Sequence, residues 1–215
     1  MNKFDKVIYI LEKEFKKYNK PTVRRTSAKK DPFKTLIACL LSLRTQDKNT
    51  EKASKALFKV ADTPKEILKL SIKKLEKLIY SSGYYHNKAK TIKHVSKVIL
   101  EEHKGKVPDN FDGLIKIKGI GRKTANIVLS FSFNKLVLPI DVHCHRIPNR
   151  LGWVKTKNPE QTEFALMKIL PKKHWREFNS LFILFGKNIC TPISPFCSKC
   201  PIKKYCRRIE IKKSR

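Results

Sequence analysis

Long apolar runs are absent from this chain of 215 residues. No stretch approaches the ~20 uninterrupted apolar residues of a membrane-spanning helix. The N-terminal segment MNKFDKVIYILEKEFKKY also lacks the apolar core and small-residue cleavage site of a signal peptide. Both absences predict a soluble protein inside the cell, in cytoplasm or nucleoid, or in the nucleus of a eukaryote, with no membrane partner. Alternating apolar and polar residues bounded by hairpin turn chemistry are missing too, which argues against a sheet. The stretch VLPID, ending at Asp141, has strand-like residues, but its proline opposes that reading. Neither an internal repeat nor a low-complexity tract is present, and the length suits one compact domain or two lobes.

Acidic residues are scarce: 18 Asp and Glu stand against 49 Lys and Arg, a formal net charge of +31. Such an excess destabilises a compact chain by self-repulsion unless an anionic partner neutralises part of it, and nucleic acid is the natural partner. A lysine-rich proteome that places lysine at any surface position would produce the same excess, so charge alone does not identify the partner.

What is present is helical periodicity. Apolar residues recur at helix spacing at Phe4, Val7, Ile8, Leu11 and Phe15, at Ala53, Ala56, Leu57 and Val60, and at Ile92, Val95 and Ile99. Thr63-Pro64-Lys65-Glu66 has the form of a capping box with proline at the first helical position, and Asn158-Pro159-Glu160-Gln161 repeats it. Residues 33–43, FKTLIACLLSL, are apolar nearly all round and predict a helix enclosed by others. The fold class is therefore all-α. The stretches from Arg24 to Lys30 and from Asn134 to Pro139 are predicted crossings between lobes.

Four of the six cysteines, Cys190, Cys197, Cys200 and Cys206, crowd into the pattern C-x6-C-x2-C-x5-C. In a chain without an export signal thiols stay reduced, so a metal site is the better reading than disulfides. Structural zinc usually joins two close pairs, whereas this pattern has one close pair and two outliers, which favours iron–sulfur. Cys39 lies in the apolar segment and reads as a small buried hydrophobe. Cys144, between His143 and His145, does not read as a second metal site.

Residues 114–126, LIKIKGIGRKTAN, predict two helices joined by a glycine hairpin. The Gly119-Ile120-Gly121 turn lets backbone N–H groups approach an anion, and the following helix offers its positive end to a phosphate. A lone Gly-x-Gly is often only a turn; the neighbours make it informative. KGIGRKTAN, with IDVHCHR following, resembles the helix-hairpin-helix DNA glycosylases of the endonuclease III family, and the resemblance spans nearly the whole chain.

That resemblance implies a bifunctional glycosylase and abasic-site lyase in which Lys123 is the nucleophile and Asp141 its carboxylate partner. The roles make chemical sense. A lysine amine that attacks the sugar C1′ expels the base and forms a Schiff base, which acidifies the neighbouring sugar proton and permits β-elimination of the 3′ phosphate. A free lysine with a pKa of about 10.4 must be shifted down to react, and a place in the first turn of a helix beside Arg122 disfavours the ammonium. Asp141 takes up the lysine's proton or stabilises positive charge on the sugar. Taken singly, Lys123 could be a surface lysine and Asp141 a helix cap.

The resemblance further implies one [4Fe-4S] cluster on Cys190, Cys197, Cys200 and Cys206, whose spacing matches the family's loop without insertion or deletion, in a structural rather than redox role. The intervening TPISPF carries no charge where relatives often place basic residues; Lys187, Lys199, Lys203 and Lys204 can substitute. Duplex DNA with damaged bases or abasic sites is the implied partner of a monomer, contacted by Lys118, Gly119, Gly121 and Arg122 of the hairpin and by His143 and Arg146. Chemistry at C1′ requires the nucleotide to be flipped out and its gap filled; Tyr84 of GYYHNKA and Arg44 or Gln46 of SLRTQD match the gap-filling positions, although Arg44 stands where glutamine is common. The implied architecture is a helical barrel lobe of residues 27–135 with the hairpin at 114–126, a discontinuous cluster lobe of residues 1–26 and 136–215, and a basic DNA-binding groove between them. Oxidised pyrimidines of the thymine glycol type are the implied lesions. A monofunctional mismatch glycosylase and a non-catalytic cluster-bearing DNA-binding module are the alternatives.

Overall fold

The computed structural model describes residues 2–27 and 31–215; Ala28, Lys29 and Lys30, the end of one predicted crossing, lie outside them. Among the described residues there are twelve α-helices and no strand: α1 (Lys3–Phe15), α2 (Thr22–Thr26), α3 (Pro32–Ser42), α4 (Asp47–Phe58), α5 (Pro64–Lys69), α6 (Ile72–Ile79), α7 (Tyr85–Glu101), α8 (Phe111–Lys116), α9 (Arg122–Ser132), α10 (Val142–Leu151), α11 (Pro159–Ile169) and α12 (Trp175–Asn188). None is long and apolar enough to cross a membrane. VLPID is irregular until Asp141 caps α10, as its proline requires.

The chain divides into two compact units, one of residues 22–135 and one of residues 1–21 with 136–215. In the first, α3 is the central element. It buries Phe33 and every residue from Thr35 to Leu41, as its all-round apolar sequence predicts, and packs on α2, α4, α7 and α9. The short α2 is held to this unit by polar ties: Thr22 N–H donates to Asp47 at 2.9 Å, and Arg25 pairs with Glu51 at 2.8 Å. Helix α4 buries Ala53 and Leu57, but Val60 falls beyond its end and is 45% exposed. Thr63 and Glu66 form the reciprocal capping box at the start of α5.

The second unit is built on α1, α10, α11 and α12. Its core stacks Phe178 on Phe182 at 4.0 Å between centroids and sets Phe4 edge-on to Trp153 at 4.9 Å. Asn158 caps α11 by accepting from Gln161 N–H at 2.9 Å, whereas the Gln161 side chain accepts from Lys157 N–H rather than from the cap, so this second box is only half formed. Beyond α12 the chain runs mostly in turns.

Candidate active site and DNA interface

The hairpin of the first unit joins α8 to α9 through Ile117–Gly121. Ile117 and Ile120 are buried beneath it, while Lys118, Gly119 and Gly121 face solvent. Gly119 has φ +101°, and a Cβ there would stand 2.6 Å from Thr91 Cγ2 of α7, so both the turn and its packing require glycine. Gly121 is the N-cap of α9 and offers no side-chain cap, so the first N–H groups of that helix face outward from a terminus that carries partial positive charge. Arg122 lies over Phe111, its guanidinium carbon 4.6 Å from the ring centroid. A helix terminus of this kind, with Lys118 and Arg122 beside it, has the chemistry to hold an anion.

Lys123 follows at the second position of α9 and is half-buried. Behind it is the α3 thiol of Cys39, buried in a small cluster with Ile127 and Phe131. Burial pushes that thiol up to about 12, and the neighbouring Lys123 charge pulls against the shift. The lysine thus stands at the positive end of a helix, beside the apolar cluster of Cys39, Ile127 and Phe131.

In the same unit two loops bring Arg44 and Tyr84 together. Both are in the left-handed region, φ 49° and 59°, and both are exposed. The Arg44 guanidinium carbon is 5.9 Å from the Tyr84 ring centroid. Gln46 is also exposed and is the N-cap residue of α4, though its side chain does not cap.

In the second unit Asp141 is 7% exposed and is the N-cap of α10, with Oδ1 accepting from His143 N–H at 2.9 Å and Cys144 N–H at 2.8 Å. The three residues that follow diverge. Cys144 is buried against Asn179, the His145 ring pairs with Thr162 Oγ1 at 2.6 Å, and His143 Nδ1 faces Arg146 Nη2 at 3.1 Å. Arg146 turns inward, donating to the carbonyls of Cys190 at 2.8 Å and Gly186 at 3.4 Å, and burial lowers its pKa. The structure therefore places Arg146 as a brace between α10 and the cysteine loop.

The four cysteines line one small pocket together with Ile147, Leu151, Phe185 and Ile189. Arg150 donates to the carbonyls of Thr191 at 2.7 Å and Pro192 at 2.6 Å and approaches Cys190 Sγ at 3.5 Å; Arg208 N–H donates to Cys206 Sγ at 3.3 Å. Burial pushes the Cys200 thiol up to about 11 and raises that of Cys206. Thiolates in such an apolar pocket need compensating positive charge, so the donor set suits an iron–sulfur group. Among the described residues no group of three or more His, Cys, Asp or Glu is arranged to hold a lone metal ion.

Two contributors carry no sign in the sequence, Thr91, which packs on Gly119, and Arg150, which braces the cysteine loop; a third is Lys88, buried behind the Arg44 and Tyr84 loops. Lys88 did carry a signal, since residues 88, 92, 95 and 99 share one face of α7 and the other three are apolar.

Residues 37–172 match the model of the HhH-GPD superfamily of base excision DNA repair proteins. Over 182 residues, 85% of this chain and 85% of the relative, the sequence is 49% identical to endonuclease III of Thermotoga maritima. It is 36% identical over 178 residues to endonuclease III of Bacillus subtilis, covering 82% and 81% of the two chains. Among solved structures, a trapped endonuclease III–DNA covalent intermediate is similar with a TM-score of 0.82 at 33% identity, over 97% of both chains. A thermostable thymine-DNA glycosylase has the same fold, with a TM-score of 0.81 at 24% identity over 95% of both chains.

Proposed function

We propose, for a chain that belongs to the endonuclease III family of HhH-GPD base excision repair proteins, that it removes damaged bases from duplex DNA and then cuts the strand at the abasic site it has made. The observation that carries this reading is the placement of Lys123 in the uncapped first turn of α9, directly after the glycine hairpin and beside the apolar cluster of Cys39, Ile127 and Phe131.

The hairpin N–H groups of Gly119 and Gly121, with Lys118 and Arg122, hold the DNA backbone. Arg44 and Tyr84 fill the gap left by the extruded nucleotide, with Gln46 at the edge of the same loop. Lys123 Nζ, as the free amine, bonds to C1′ while the bond from C1′ to the base breaks and the base leaves with a proton. Opening of the sugar ring then gives the Schiff base. Removal of a C2′ proton turns the Schiff base into an enamine; return of those electrons restores C1′=N and forms C2′=C3′ as the C3′–O bond breaks and the 3′ phosphate leaves, and water then releases the lysine. Asp141, held by the first N–H groups of α10, accepts the proton that Lys123 gives up or steadies positive charge on the sugar. The proposed lesions are oxidised pyrimidines of the thymine glycol type, attacked by a monomer.

Cys190, Cys197, Cys200 and Cys206 would hold one [4Fe-4S] cluster. When bound, it supplies iron–thiolate bonds that fix a segment with little apolar core of its own, and no electron transfer is required by base removal or elimination. Arg146 and Arg150 tie that segment to α10, the helix that Asp141 caps.

The test compares wild type with Lys123→Gln on a duplex holding one thymine glycol and on a duplex holding one abasic site. Wild type excises the base and nicks both substrates, and the variant nicks neither while binding both. Base excision that leaves the abasic strand intact in wild type points to a monofunctional glycosylase. Nicking that persists in Lys123→Gln removes the lysine from the reaction.

A further inference from the structure

Residues 88, 92, 95 and 99 form one stripe along α7; Ile92, Val95 and Ile99 make it apolar, and Lys88, only 7% exposed, interrupts it. A buried ammonium is costly unless every proton finds an acceptor. Lys88 Nζ reaches four oxygens: the carbonyls of Leu41 at 2.7 Å and Leu43 at 2.6 Å, Thr45 Oγ1 at 2.7 Å and Ser82 Oγ at 2.8 Å. The two carbonyls belong to the C-terminal end of α3, where a helix leaves acceptors without partners and its dipole favours a cation.

The acceptors are themselves joined. Thr45 Oγ1 accepts from Gly83 N–H at 3.1 Å, and Ser82 Oγ donates to the Leu41 carbonyl at 2.9 Å. The α3–α4 loop and the α6–α7 loop are therefore tied at one buried point. Each of these loops carries a left-handed residue next to the tie, Arg44 between Leu43 and Thr45 and Tyr84 after Gly83. A Cβ at Gly83 would stand 3.1 Å from the Arg44 carbonyl, so the two loop backbones are also in close approach.

We propose that Lys88 is a positioning residue that locks these two loops so that Arg44 and Tyr84 meet an extruded nucleotide's gap as one preformed wedge. The inference rests on the reading that Arg44 and Tyr84 fill that gap, and adds to it the device that holds them there. Both side chains are exposed, with the Arg44 guanidinium 5.9 Å from the Tyr84 ring centroid, so neither is anchored in the core, and both backbones are in a conformation that non-glycine residues adopt at a cost. The buried ammonium overdetermines both loops from below, which is what lets two strained residues persist side by side.

Two substrates separate positioning from mere stability. A duplex with thymine glycol requires extrusion and gap filling; a single-stranded abasic oligonucleotide requires neither. Lys88→Met keeps the aliphatic stem and removes the donors. Its single-turnover excision from the duplex falls by about ten- to a hundredfold, while cleavage of the single-stranded abasic oligonucleotide stays at the wild-type rate. The fluorescence of 2-aminopurine beside the lesion, which rises when wild type opens the stack, stays low with the variant. Tyr84→Ala and Arg44→Ala are assayed in parallel. If those two show the duplex-selective loss and Lys88→Met loses both activities equally, or neither, the positioning role is overturned and the wedge reading stands. If neither alanine variant shows a duplex-selective loss, the wedge reading fails and the proposal fails with it. Should Lys88→Met not fold, Thr45→Val, which removes one acceptor and keeps the shape, is read in the same two assays, and an unchanged duplex rate overturns the proposal.

Discussion

Asp141 Oδ1 accepts the backbone N–H of Cys144 at 2.8 Å, so the carboxylate proposed to serve the sugar is also the cap that starts α10. The two roles can be separated by substitution. Asparagine caps about as well as aspartate, so Asp141→Asn should keep stability within about 0.5 kcal/mol while lowering base excision by about 10²–10⁴-fold. Asp141→Ala should lose the same activity and an additional ~0.5–2 kcal/mol of stability. Urea unfolding with single-turnover excision reads both, and an Asn variant that is fully active assigns Asp141 to the cap alone.

The two hairpin glycines should respond differently to the same change. Gly119→Ala meets Thr91 and an unfavourable φ, and should cost about 1–3 kcal/mol. At Gly121 nothing lies within 4 Å of an added Cβ, so Gly121→Ala should cost at most about 1 kcal/mol but weaken duplex binding by crowding the phosphate. Urea midpoints and duplex titrations check this; equal destabilisation at both positions contradicts the hairpin geometry.

The cysteines predict a divided outcome as well. Reconstituted protein should hold four iron and four sulfide per chain, and Cys197→Ser should lower both and reduce Tm. Cys39→Ser and Cys144→Ser, whose thiols face α9 and Asn179, should leave iron content unchanged. Iron analysis of the three variants decides.

Acid should loosen the second unit through Asp5. Hydrogen bonds from Lys173 and His174 hold its carboxyl below its ordinary 3.8, at about 2. A carboxylate with a lowered folded-state pKa contributes stability that is complete above the ordinary value and is lost as pH falls through about 4 toward about 2. The difference in urea midpoint between wild type and Asp5→Asn should therefore be present at neutral pH and vanish across that window. Added salt should shrink it, because the ion pair is close to solvent.

The helices were legible where a residue's role depends on its near neighbours. Thr63 and Glu66 lie three apart and cap each other, and Gly119 announces a turn whatever surrounds it. The enclosed character of α3 follows from its composition alone. Val60 continues the apolar spacing of α4 past the point where that helix ends. The candidate site was legible mainly through the Lys123 and Asp141 motifs and the cysteine spacing.

What the sequence hides is any role set by partners far along the chain. Lys88 is one lysine among many, and its acceptors, at Leu41, Leu43 and Thr45, lie more than forty residues before it. His174 meets Asp5 at 2.6 Å across 169 positions. Arg146 could be read outward as a phosphate contact because its carbonyl partners at Gly186 and Cys190 carry no sequence signature at all.

The central claim is that Lys123 becomes covalently joined to the sugar. Borohydride added during reaction with an abasic duplex reduces a Schiff base to a stable link, which is counted as shifted protein on a denaturing gel. Wild type should form the adduct and Lys123→Gln should form none while still binding the duplex. An adduct at the wild-type level in Lys123→Gln, or none from folded, iron-loaded wild type, contradicts the account.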